Sequence, residues 1–416
     1  MKPELRRERG LLDAVGIGYG AIVGAGIFVV TGVAAGVAGP AFLVGLALAG
    51  VAATCNALSS AQLAAEYPRS GGTYEYGYQV LTPAAGFAAG WMFLSSKIAA
   101  AGTVAIGLGA YLETVVPDVS PRALAVGAIV LFTALNYAGV RRSSRVNLAI
   151  VAVSLGALLL FVAAGILSGA ARVRNLEPFA PAGWRGVLES GAILFFAYTG
   201  YARVATLGEE VHDPRRTIPR AILITILGAL GLYAAVATVA VATVGSEALA
   251  ATAAPLRVAA ESFGIPGVAM TVAIAGITAM LGVILSQLLG LSRMAFAMAR
   301  RRDLPAFLER IDPNTGVPRA AVVVIGGIAA LVAATGTLRG VASAAAFTIL
   351  LYYLIANVAA LRMRAHARLY PSVVPWVGVI SCALLAMSLD ASVILAGIGL
   401  LAAGFVFRAV VRAFAR

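Results

Sequence analysis

The chain is poor in the side chains on which enzymes and metal centres depend. Its 416 residues include two histidines and two cysteines, and 12% of residues are charged. We find no spacing of His, Cys, Asp and Glu typical of a metal site, and no nucleophile with a base and an orienting group within the apolar runs. The sequence therefore predicts that the protein is not an enzyme and holds no metal or cofactor. Lysine is scarce as well, since Lys2 and Lys97 are its sole examples.

Long apolar runs make up most of the remainder. Hydrophobic residues account for 61% of the chain, and the mean hydropathy is +0.94, which excludes a single soluble core. Because a hydrocarbon layer of about 30 Å needs roughly 20 apolar helical residues, the chain is predicted to be an all-α integral membrane protein with about twelve transmembrane helices. Their predicted ranges are 11–38, 41–64, 84–112, 121–140, 146–168, 187–211, 219–244, 266–298, 319–335, 341–361, 372–389 and 391–410.

The net charge of +13 has a membrane explanation. The arginines concentrate at alternate span ends, as the positive-inside rule requires, and no basic run is interleaved with base-stacking aromatics. We therefore expect no nucleic-acid partner, a polar tail over residues 1–10, and both termini in the cytoplasm. The alanine- and arginine-rich composition suggests the cytoplasmic membrane of a prokaryote. The sequence leaves the oligomeric state open, with a monomer among the alternatives.

Two apolar segments are interrupted at matching places. Residues 15–37 are broken at Gly24-Ala25-Gly26, and residues 187–211 at Tyr198-Thr199-Gly200-Tyr201. In lipid, a broken helix is tolerated where protein, water or a solute satisfies the freed peptide groups, and paired breaks indicate the binding site of a secondary transporter. Free amide N–H groups at a helix start suit a carboxylate, and the candidate donors are Ala25, Gly26 and Ile27. The alternative is helix packing, since Gly16, Gly20 and Gly24 also fit a small-residue packing pattern.

An ordered set of motifs covers nearly the whole chain. The pieces are Gly24-Ala25-Gly26-Ile27-Phe28, Glu66-Tyr67-Pro68-Arg69-Ser70-Gly71-Gly72-Thr73-Tyr74, Asn136-Tyr137-Ala138-Gly139-Val140, Phe195-Phe196-Ala197-Tyr198-Thr199-Gly200-Tyr201 and Ser292-Arg293-Met294. In this order they resemble the amino acid-polyamine-organocation (APC) family of permeases. The resemblance implies a LeuT-type 5+5 inverted repeat with helices 1 and 6 discontinuous. The repeats would cover 11–168 and 187–361, and two peripheral helices 372–410.

The resemblance also implies a site between the first and sixth spans. The predicted substrate-binding residues are Ile22, Gly24, Ala25, Gly26, Ile27, Phe196, Ala197, Tyr198, Thr199 and Gly200. Phe196 aligns with the aromatic gate of the family, although an aromatic residue here could also be packing. Arg203, Glu209 and Glu210 are candidates for an inner gate, with a solvated charge cluster as the alternative. Arg301-Arg302-Asp303 is interpreted as orientation charge.

Lys97 lies near the middle of the third predicted span, too deep for its amine to reach the headgroups. Because a buried lysine can lose its proton and an arginine cannot, Lys97 is a candidate for proton coupling, or for a fixed charge in place of sodium. The alternative is a structural pin bonded to carbonyls. Some proton-coupled members carry a lysine where this chain has Ser154. Ser154 and Thr278, with carbonyls near Gly20 and Val23, form a candidate ion locus that we expect Lys97 to reach, and sodium coupling stays open.

The predicted function is secondary active amino acid transport by alternating access. No Asp or Glu is expected deep within a span, so a cationic side chain would find no countercharge, and small or apolar neutral amino acids with proton coupling are favoured. An exchanger and a sodium-coupled symporter are alternatives. A different class would be a membrane sensor that binds an amino acid without carrying it.

Overall fold

The computed structural model describes residues 10–24, 26–67, 71–139, 144–201, 204 and 211–414, with side chains at all of these except 144, 145, 214 and 215. Within these ranges the chain is helical and contains no β-strand. The predicted all-α class is therefore confirmed. Of the predicted site residues, Ala25, Arg203, Glu209 and Glu210 lie outside the described ranges, as does almost all of the 1–10 tail.

The helices follow the apolar runs of the sequence. In chain order they are α1 (Leu11–Ile22), α2 (Thr31–Ala38), α3 (Phe42–Glu66), α4 (Thr73–Tyr76), α5 (Pro83–Glu113), α6 (Pro121–Tyr137), α7 (Ser144–Leu167), α8 (Gly183–Tyr198), α9 (Pro214–Ala250), α10 (Pro255–Glu261), α11 (Val268–Arg300), α12 (Arg319–Thr335), α13 (Leu338–Leu361), α14 (Val373–Ser388) and α15 (Ala391–Phe414). The π-helical turns Gly26–Val30 and Gly77–Leu81 precede α2 and follow α4, and the 3-10 turn Thr199–Tyr201 follows α8.

Local sequence explains where several helices begin. Pro83 opens α5, and the Thr82 hydroxyl accepts a hydrogen bond from the amide of Ala85 at 3.1 Å. The Thr337 hydroxyl accepts in the same way from Gly340 at the start of α13. Threonine at the cap accepts a hydrogen bond from an amide that a helix start leaves unpaired, and proline at the first position has no such amide to satisfy. These starts agree closely with the predicted third and tenth spans.

Membrane-crossing length is reached by seven segments of the described chain. One of them, Leu11–Glu66, contains 56 residues and bends at the first interruption and at Gly39–Ala41, so it contains the first two predicted spans. Three shorter apolar helices, α6, α12 and α14, coincide with further predicted spans. The protein is a multi-pass membrane protein, while the count of twelve crossings stays a prediction.

The helices form two groups. In the first, α1 and α2 pack with α3, α8 and α9; in the second, α5 and α6 pack with α11 and α12. Helix α7 lies against α9 and α11, and α13 lies against α5. Helix α14 packs on α3 and α13, where buried Asn56 binds Asn357 at 2.5 Å and Cys382 at 3.2 Å. The core is dominated by alanine, which lets the helices approach closely.

Candidate solute site at two helix interruptions

The first interruption begins where α1 ends. Val23 is extended, with φ −73° and ψ 104°, and helical structure returns in the π-helical turn that starts at Gly26. The carbonyl of Ile22 accepts a hydrogen bond of 2.8 Å from the hydroxyl of Tyr233 on α9. The carbonyl of Phe28 accepts one of 2.9 Å from Tyr111 on α5. Two peptide groups near the break are thus satisfied by other helices, as a lipid environment requires.

The second interruption lies at the end of α8, where the sequence predicted it. The α-helix stops at Tyr198 and tightens into the 3-10 turn Thr199–Tyr201. The Thr199 hydroxyl donates to the carbonyl of Phe196 at 2.9 Å. Phe196 is part-buried, whereas Ala197, Tyr198 and Thr199 are buried. The aromatic gate role of Phe196 stays a prediction.

The two interruptions touch each other through glycine. A methyl group on Gly26 would lie 2.5 Å from the Cα of Ala197. A methyl group on Gly200 would lie 2.1 Å from the carbonyl oxygen of Ala21. Because real carbon atoms do not approach backbone this closely, glycine is required at both positions. The structure therefore joins two segments that lie about 170 residues apart in the sequence.

Lys97 lies beside the second interruption. Its Nζ donates to the Thr199 hydroxyl at 3.2 Å and lies 5.9 Å from the ring centre of Phe93. Gln287 on α11 donates from its side-chain amide to the Lys97 carbonyl. The sequence led us to expect Lys97 at the Ser154–Thr278 locus, but its hydrogen bond is to Thr199. This ammonium group thus adjoins the predicted solute site.

The candidate ion locus is only partly assembled. Ser154 donates to the carbonyl of Ile150 in its own helix at 2.8 Å, and Thr278 donates to Ile274 in its own helix at 2.9 Å. The backbone of the first interrupted segment does contact both of these helices. A methyl group on Gly20 would be 2.7 Å from Val151 on α7, and one on Gly24 would be 2.9 Å from Val283 on α11. The ion-binding roles of Ser154, Thr278, Gly20 and Val23 stay predictions.

A buried ionic network centred on Asp303 is the main feature that the sequence reasoning missed. Asp303 has no exposed surface, and its carboxylate accepts hydrogen bonds from Tyr74 at 2.8 Å, Tyr78 at 2.6 Å, Arg408 at 2.7 Å and Arg412 at 3.1 Å. Burial, reinforced by the bond to Asp303, raises the pKa of Tyr78 to about 12, so this phenol stays a donor. The interpretation of Asp303 as simple orientation charge is therefore wrong.

A signal for this network was present in the sequence. Tyr74 and Tyr78 are four residues apart, as are Arg408 and Arg412, and such spacing places both side chains on one helix face. A second ionic cluster lies at the other end of α15, where Arg339 bonds Glu189 at 2.8 Å and Asp390 at 3.0 Å. The sequence predicts α15 as one of two peripheral helices, and ion pairs connect both of its ends to other segments of the chain.

These features define a class of protein, namely a multi-pass helical membrane protein in which two interrupted helices meet in the interior. A family model described as amino acid permease matches residues 13–413. The protein belongs to the amino acid permease family, which is a family of transporters.

Its relatives carry different names. An uncharacterized transporter of Mycobacterium tuberculosis is 44% identical over 401 residues, covering 96% of this chain and 90% of the relative. The branched-chain amino acid permease BcaP of Bacillus subtilis is 29% identical and covers 92% and 88% of the two chains. The methylthioribose transporter of the same organism is 32% identical and covers 83% and 80%.

Proposed function

We propose that this protein is a secondary active amino acid carrier that works by alternating access and binds its solute where the two interruptions meet. The observation that carries the proposal is the contact of Gly26 with Ala197 and of Gly200 with Ala21. Amide groups at a helix start attract a carboxylate, and carbonyls at a helix end attract an ammonium group. An amino acid carries both charges in one small unit. The proposed binding set is the one predicted from the sequence, namely Ile22, Gly24, Ala25, Gly26 and Ile27 at the first interruption and Phe196–Gly200 at the second.

The helix packing supports a LeuT-type 5+5 inverted repeat, with halves at 11–168 and 187–361. The first group combines the first two predicted spans of each half, and the second group combines the third and fourth spans of each half. Two five-helix halves whose helices pack in the same order would produce this grouping. Movement of one group against the other would expose the site to each side in turn. In this proposal α14 and α15 are the two peripheral helices predicted for residues 372–410, outside the ten-helix core.

Neutral amino acids are the proposed solutes. In the part of the chain that the structure describes, no carboxylate pairs with Lys97. A solute with a cationic side chain would therefore be repelled by the Lys97 ammonium group, with no carboxylate to compensate. The names of the two Bacillus relatives refer to different kinds of solute. The proposal therefore rests on the residues of this chain.

Proton coupling through Lys97 is the proposed drive for uptake. A lysine that gains and loses its proton beside the interruption would link proton movement to occupancy of the site. A fixed Lys97 charge is the alternative, and a sodium ion held by Ser154 and Thr278 is another. An inner gate that includes Arg203, Glu209 and Glu210 belongs to the same proposal, as does a bacterial inner-membrane location with both termini in the cytoplasm.

The test begins with binding. Thermal unfolding of the purified protein is measured against each of the twenty amino acids, and those that stabilise it are assayed by counterflow in proteoliposomes with a proton or sodium gradient. We expect neutral amino acids to stabilise the protein and to exchange, with net uptake driven by an inward proton gradient. Exchange that no gradient can drive would indicate an exchanger. Stabilisation without any flux would indicate a sensor, and would overturn the transport proposal.

A further inference from the structure

Lys97 brings a positive charge to the end of a broken helix. Its Nζ lies 3.2 Å from the hydroxyl of Thr199, the first residue beyond α8. Since the Thr199 hydroxyl gives its own hydrogen to the carbonyl of Phe196, its oxygen acts as an acceptor towards Lys97. Gly200, which touches α1, follows directly in the chain. A solute in contact with both interruptions would therefore lie close to this ammonium group.

The ammonium group is left with unused hydrogen-bonding capacity. It has three N–H donors, and in the described chain its partners are the Thr199 hydroxyl and, more weakly, the ring of Phe93 at 5.9 Å. No carboxylate of the described residues is paired with it. A cation at membrane depth normally finds a countercharge, backbone carbonyls or water. Two N–H groups of Lys97 are thus available to a solute that enters the site.

The backbone around Lys97 is held on two sides. The side-chain amide of Gln287 on α11 bonds the carbonyl of Lys97 itself. The hydroxyl of the preceding residue, Ser96, bonds the carbonyl of Ala345 on α13 at 2.9 Å. These contacts cross between helices, so they fix the rotation of α5 and hence the position from which the lysine side chain extends. Binding groups that are positioned in advance in this way discriminate better between ligands.

Resting on the proposed transport function, we infer that Lys97 determines side-chain specificity by donating a hydrogen bond to an oxygen on the solute side chain. The substrates are then neutral amino acids whose side chains carry a hydroxyl or amide oxygen, in preference to aliphatic ones of the same shape. The preference is strong because an aliphatic side chain in the same place leaves the cation without a partner. Cationic side chains are rejected by charge. The ion that drives transport does not enter this inference.

Threonine and valine provide a direct test, because they have nearly the same shape and differ in one hydroxyl. Counterflow in proteoliposomes gives the apparent affinity of each, and a hydrogen bond to a charged group corresponds to a preference for threonine of about tenfold to a hundredfold. Lys97→Met keeps the length of the side chain but removes the donor and the charge. We expect this variant to bring the ratio of the affinity for threonine to that for valine to about one or below. Lys97→Arg keeps a donor and should retain a preference for threonine. Ser95→Ala, on the same helix, is the matched control and should leave the ratio unchanged.

The outcomes separate this inference from the transport proposal. Equal affinities in the wild type, or a ratio that Lys97→Met leaves unchanged, would overturn the inference while exchange itself continues. Absence of exchange for every amino acid in the wild type would overturn the proposed function and the inference with it. If Lys97→Met folds but does not exchange, its thermal stabilisation by threonine and by valine gives the same ratio. A role in coupling alone would change the rates of both amino acids by the same factor.

Discussion

The close approach of the two interruptions depends on the absence of a side chain at position 26. Alanine there would place a methyl group 2.5 Å from the Cα of Ala197, so the two backbones would have to separate. Overpacking of this kind costs about 1–3 kcal/mol. If about 1.4 kcal/mol of that cost falls on the solute-bound state, Gly26→Ala lowers solute affinity about tenfold. Binding titration and counterflow of the purified variant measure the loss.

Gly16→Ala is the matched control, since it adds a methyl group in α1, before the same interruption, where no atom outside the local helix backbone lies within 4 Å. We expect this variant to bind and exchange as the wild type does. An equal loss in both variants would point to a general effect on the folding of the first interrupted segment. Full affinity in Gly26→Ala would contradict a site at the interruptions.

At the scale of elements, α15 is attached by ion pairs that reach segments distant in the sequence. Its Arg408 and Arg412 bond to Asp303 just beyond α11, and Asp303 also binds Tyr74 and Tyr78. Asp303→Asn keeps the shape of the side chain but removes the charge that faces the two arginines. Breaking a buried ion pair from one side costs about 3–5 kcal/mol. We therefore expect a clearly lower melting temperature in detergent.

Arg216→Gln provides the comparison for this variant. The pair of Arg216 with Asp213 spans 3.7 Å and is largely exposed on both sides, and such surface pairs contribute about 0–1 kcal/mol. Its melting temperature should stay close to that of the wild type. Equal melting temperatures for Asp303→Asn and Arg216→Gln would show that the Asp303 network does not hold α15 to the core.

The elements differ in how far the sequence could predict them. Glycines at 24, 26 and 200 interrupt apolar runs, and this local signal located both breaks. The Asp303 network has no local signal of equal strength, because its members come from three segments of the chain, the first and last of which are more than 300 residues apart. The hydrogen-bond partner of Lys97 could not be predicted from the sequence for another reason. Helix α5 is largely enclosed by protein, so it has no polar face from which its rotation could be predicted. The sequence therefore predicts how deep Lys97 lies in the membrane but not which neighbouring helix its side chain faces.

At the scale of the whole molecule, proton coupling predicts how uptake responds to external pH. Lys97 is charged at low pH and loses charge as pH rises, so uptake by a carrier that uses this step depends on pH. Glutamine at position 97 cannot titrate in this way, and we expect Lys97→Gln to retain uptake with a flat pH profile. Ser154→Ala is the companion variant. It should change uptake if the carrier is driven by sodium, and not if it is driven by protons through Lys97. A pH profile that persists in an active Lys97→Gln protein would exclude the coupling role.

The alternating-access proposal depends on a solute that binds where the two interruptions meet. The most direct measurement is a cryo-electron microscopy structure of the protein with an amino acid that raises its melting temperature. Our account predicts density for the zwitterion between the Gly24–Ile27 and Phe196–Gly200 segments. Density confined to another place, such as the groove that Phe347 and Gly397 line beside α15, would contradict it.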